Sequence, residues 1–231
     1  MAQPVLSADR IKTHAKESIR KGGDIREKMR DLTLRALKHR PLDPGQIKAV
    51  VRAMTEGIVA GAAKPAGELS QTLSQAFTGL DQALMKSAEA AHLAIQELAS
   101  KGEQFNDKTL QQALANLKRL EEDFLSTVTE VADKAEGKVK AGLQDLVKHA
   151  RRTGTDTGAK AAETANALSA SMGSLIVDSA KLGLHAAREA GERFAALASG
   201  ILVGMADALK DEPQSPKSKA KKGTPKGTKH K

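Results

Sequence analysis

LSQAFTGLDQALMKSAEAAHLAIQEL, residues 73–98, decides the fold. Leu73, Phe77, Leu80, Leu84, Ser87, Ala91, Ala94 and Leu98 alternate by steps of four and three without exception. That alternation keeps one stripe of a helix apolar through every heptad, so the stretch reads as a long helix with a packing seam. Lys101-Gly102 reads as its C-terminal stop and Asn106-Asp107 as the cap of the next helix. A second seam follows through Leu110, Leu114, Leu117, Glu121, Phe124, Val128, Val131 and Ala135, with Glu121 as its polar interruption. Two such helices joined by a short loop predict an antiparallel hairpin. The second seam loses register around Gly137 and Gly142, then resumes through Val139, Leu143, Leu146 and Ala150.

Outward from this hairpin, other helices are marked by their caps and breakers. On the N-terminal side a helix is expected from about Ser7 to Arg20, ending at Lys21-Gly22-Gly23. Asp24 caps a second one, in which Ile25, Met29, Leu32 and Ala36 share a face, and Pro41 stops it. Asp43-Pro44 starts a third, with Ile47, Val50, Val51, Met54 and Ile58 on one stripe. Gly57, Gly61, Pro65 and Gly67 weaken the backbone there, and a break is expected near Lys64-Pro65. On the C-terminal side TGTDTG, residues 153–158, is a break before a long Ala-rich helix over about 157–209. Leu168, Met172, Leu175, Ser179, Leu182 and Ala186 give that helix a seam.

The composition fits an all-α fold of extended amphipathic helices, forming an antiparallel bundle or coiled coil. The 231 residues include no Cys, Trp or Tyr and four Phe, so a core must be built from Ala, Leu, Val, Ile and Met. Absent Cys excludes disulfides and thiolate metal sites and fits a reducing cytoplasm, the expected location. The N-terminus, MAQPVLSADRIK, has no apolar core of signal-peptide length. Charge is uneven: residues 1–40 carry +6, 41–212 carry −4 and 213–231 carry +7. We divide the chain into a basic helical segment (1–42), a hairpin or bundle with heptad seams (43–152), an Ala/Gly-rich long helix (153–210) and a disordered Lys-rich tail (211–231).

No motif brings catalysis. Asp156-Thr157-Gly158 matches the tripeptide of aspartic proteases, but those enzymes need two such carboxylates on β-rich halves, and there is no second copy here. The bland reading is a loop in which Asp156 or Thr157 caps the next helix. Arg151 and Arg152, just before that helix start, are a candidate anion site. His14, His39, His92, His149, His185 and His230 are never three or four apart, and no HExxH, GxSxG, Walker or Rossmann pattern occurs. The expectation is therefore no enzyme and no cofactor.

Three sets of residues carry binding. Lys217, Lys219, Lys221, Lys222, Lys226, Lys229 and Lys231 in the tail offer salt-dependent, sequence-independent binding to nucleic acid or anionic lipid, or act only to solubilise. The tail has no aromatics on which bases would stack. The two heptad seams offer self-association into a homo-oligomer, since an isolated hairpin leaves them uncovered. The third set is the uncharged run Phe194–Ala206, thirteen residues and too short to span a bilayer, which needs about twenty. Its stripe of Phe194, Leu197, Ile201, Met205 and Leu209 either docks into the bundle, the default, or lies on a lipid or polymer surface.

DIREKMRDLTLRALKHR, LDQALMKSAEAAHLAIQELASKG, LEEDFLSTVTEVAD, HARRTGTDTG and RFAALASGILVGMADAL together resemble an uncharacterised all-helical family of proteobacteria, a domain of unknown function, over roughly residues 15–210. That resemblance implies a helical fold and brings no catalytic residues. In composition and layout the chain is also similar to phasins. Those are Cys-poor amphipathic helical proteins that coat polyhydroxyalkanoate granules, some with a Lys-, Ala- and Pro-rich tail that binds DNA. The likeness implies a helical coat on an apolar or anionic intracellular surface. The alternative is a self-associating helical scaffold with a nucleic-acid-binding tail.

Overall fold

The heptad seams need partners, and the computed structural model covers most of their described residues from the same chain. It describes residues 6–38, 44–65, 67–100 and 107–179, with backbone alone for 94–100, 107–110 and 171–179. Among the described residues there are seven α-helices and no strand: α1 (Ala8–Lys21), α2 (Ile25–Leu37), α3 (Pro44–Ala62), α4 (Leu69–Ser100), α5 (Asp107–Asp133), α6 (Gly137–Thr153) and α7 (Asp156–Ser179). The tail lysines, the stripe from Phe194 to Leu209, and the side chains of Leu98 and Leu110 lie outside the described residues.

Caps fix the first helices where the sequence places them. Ser7 Oγ accepts from the Arg10 amide, and Asp24 Oδ1 accepts from the Glu27 amide at 3.0 Å. Each bond satisfies one of the amides that a helix start leaves without a partner. α3 ends before Lys64-Pro65, as its breakers imply. α2, by contrast, closes at Leu37 rather than continuing to Pro41.

Helix directions follow from which residues meet. Lys12 pairs with Glu56, and the next contacts along are Lys16 and Ile19 with Gly61, so α1 and α3 run parallel. Lys48–Asp123 and Arg52–Glu130 make α3 and α5 parallel as well. Thr157 meets Asp81 and Thr164 meets Ala88, so α7 runs parallel to α4. Phe77 stacks on Phe124, while Asp81 and Glu121 both reach the start of α7, so α4 and α5 are antiparallel. The expected direction of the hairpin is therefore present, but its filling is not a simple two-helix zipper. Among the described residues α4 packs on α2, α6 and α7, and α5 on α3, α6 and α7, so the two helices of the expected hairpin are not close neighbours and meet across the core through side chains such as Phe77 and Phe124.

One core runs through all seven helices, from Ile11 to Leu168. Leu73, Leu80 and Leu84 of the first seam belong to it, as do Leu117, Phe124 and Val128 of the second, and Ser87 and Val131 are buried as well. Phe77 and Leu114 are half-buried against it. The register loss at Gly137 is a reversal of the chain. α5 ends at Asp133, and α6 returns antiparallel along it, with Gln144 bonded to Asp133 and Arg151 to Glu122. α7 then continues in the direction of α6, so the two cover successive lengths of α5.

Gly57 and Gly61 do not break α3. They are its closest approach to α1: a Cβ built on Gly57 meets the Lys12 carbonyl oxygen, with Ala15 Cβ 2.6 Å away. Gly57→Ala is thus expected to push α1 and α3 apart at a cost of about 1–3 kcal/mol, offset in part by the better helix propensity of Ala, about 1 kcal/mol. Urea unfolding measures the difference. An unchanged or raised midpoint would mean that the two backbones yield at no cost.

Candidate functional site

The richest cluster of buried polar groups lies where α6 hands over to α7. α6 closes on Gly154, whose φ of 82° suits a residue without Cβ and whose amide bonds to Ala150 O at 2.8 Å. Thr155 is turned inward and α7 begins at Asp156, one residue earlier than the sequence implies.

Four successive amides at this start have partners. The Thr155 amide donates to Glu121 Oε1 at 2.9 Å, and Thr155 Oγ1 donates to the same oxygen at 2.8 Å. The Asp156 and Thr157 amides donate to the two carboxylate oxygens of Asp81, at 3.0 and 2.9 Å. The Gly158 amide donates to Thr155 Oγ1 at 2.9 Å. Thr157 Oγ1 adds a bond to the Asp81 carbonyl at 2.8 Å. The caps are thus Thr155 in the local sequence and two carboxylates from other helices, rather than Asp156 or Thr157. Negative charge at a helix start is favourable, and here α4 and α5 provide it.

Asp81 is 7% exposed and Thr157 fully buried, whereas the Asp156 side chain is exposed. Burial pushes the Asp81 carboxyl above its ordinary 3.8, against the downward pull of its hydrogen bonds from Thr157 and Asp156; the Asp156 charge adds to the upward push. The folded chain then holds this proton to higher pH than the unfolded chain does. Stability from Asp81 is full below 3.8 and is lost as pH rises through its folded-state value. The difference in stability between wild type and Asp81→Asn is accordingly expected to fall with rising pH across that window. A difference that grows with pH would show that the hydrogen bonds outweigh burial.

Arg151 does not join this cluster. It forks onto Glu122, at 2.7 and 3.0 Å, which holds the Glu122 carboxyl below and the Arg151 guanidinium above their ordinary values. Arg152 is exposed. The amides that suggested an anion site between these arginines and α7 are engaged by Asp81 and Glu121, so a free anion would have to displace a carboxylate. Among the described residues, no three His, Asp or Glu side chains are grouped to hold a metal. Nor is any of the described helices long and apolar enough to cross a membrane.

Asp81 and Glu121 are the residues that sequence reasoning misses. Glu121 is visible as a flaw in its seam, and Asp81 stands beside Leu80. The signal that joins them is a helix start with four amides to satisfy, next to seam positions that hold carboxylates.

The chain belongs to a family of unknown function, DUF6781, whose family model matches residues 1–211. No curated protein and no solved structure matches it.

Proposed function

We propose that the protein is a non-enzymatic, phasin-like coat protein that binds an apolar intracellular surface such as a polymer granule. The observation that carries this reading is the use of its buried charges. Among the described residues the buried carboxylates are Asp81 and Asp123. Asp81 clasps α7, and Asp123 takes Lys48 of α3 at 3.0 Å. Both hold helices together, which suits a body that presents a surface rather than one that performs chemistry. The surface is supplied by the stripe Phe194, Leu197, Ile201, Met205 and Leu209, whose run of thirteen uncharged residues is too short to span and long enough to lie flat. In this reading the stripe faces the granule instead of docking into the bundle.

A fluorescent fusion is expected to collect on storage granules and to stay diffuse in cells without them. Ile201→Asp is expected to abolish that localisation and leave the melting temperature unchanged. A lowered melt with localisation retained would return the stripe to the bundle and overturn the proposal. The alternative, a scaffold with a nucleic-acid-binding tail, is favoured by seven Lys without an acid over residues 213–231. It predicts that a chain ending at Glu212 loses most of its salt-sensitive binding to unrelated duplexes.

A further inference from the structure

We draw no further inference here: the strongest candidate, the side-chain cluster of Asp81, Glu121, Thr155 and Thr157 at the start of α7, belongs to the site already described, and its carboxylates and hydroxyls bond to one another and to the amides of that helix start rather than pointing to a ligand.

Discussion

Leu84→Asp is expected to abolish cooperative folding. Leu84 is fully buried, and its neighbours belong to the same chain. Removing the side chain costs about 2–5 kcal/mol in a packed core, and leaving a carboxylate there without a partner adds several more. A domain of ordinary stability, about 5–15 kcal/mol, has little left after that. Far-ultraviolet circular dichroism with thermal melting reads the outcome. The loss is one of folding rather than of assembly, so it should not depend on protein concentration. Leu93→Asp is the matched control: Leu93 is on the same helix but 47% exposed, and its replacement should change stability by no more than about 0.5 kcal/mol. A cooperative melt for Leu84→Asp near that of wild type would remove Leu84 from the core.

Phe124→Ala is the second large effect. Its ring is 1% exposed and lies against Phe77 with centroids 5.1 Å apart and planes tilted by 32°. In a chain with four Phe and no Trp or Tyr, no other aromatic pair stands behind this one among the described residues. Truncating a buried Phe costs about 3–5 kcal/mol, and the pair itself contributes about 0.5–1.5 kcal/mol beyond area. Phe77→Ala should cost less, because Phe77 is half-buried. Urea midpoints of the two single variants check the order. If Phe77→Ala is the more damaging, the ring of Phe124 is not the better buried of the pair.

Helices and their inward faces were legible in the sequence because both are local. Ile25, Met29, Leu32 and Ala36 form the buried face of α2, and Ile47, Val50, Val51, Met54 and Ile58 that of α3, at the spacing their periods require. Partners were not legible, because a seam records that something covers it and not what does. The reversal after Asp133 looked like a fault in register, since Val139, Leu143 and Leu146 are as apolar as the seam they follow. Gly57 and Gly61 read as weakness because propensity is a property of one helix, whereas close approach belongs to two. The clasp at α7 was half visible. TGTDTG announced a helix start, but the carboxylates that complete it come from positions 34 and 75 residues away from Thr155 and Asp156.

The parallel pairing of helices sets an order in time. Lys12 meets Glu56 across 44 residues of chain, and Asp81 waits for Thr157 across 76. A growing chain therefore makes α1 well before the helix that will cover it, and α4 before the end of α7 exists. Contacts of such separation close more slowly than those of a simple helical hairpin. Pulsed hydrogen exchange during refolding should find α7 protected last, after α1 and α3 have joined. Protection of α7 in the earliest phase would instead make it part of the nucleus. During synthesis, an incomplete chain leaves bare the faces of α4 and α5 that α7 meets until α7 emerges, and that interval is when it is most exposed to aggregation.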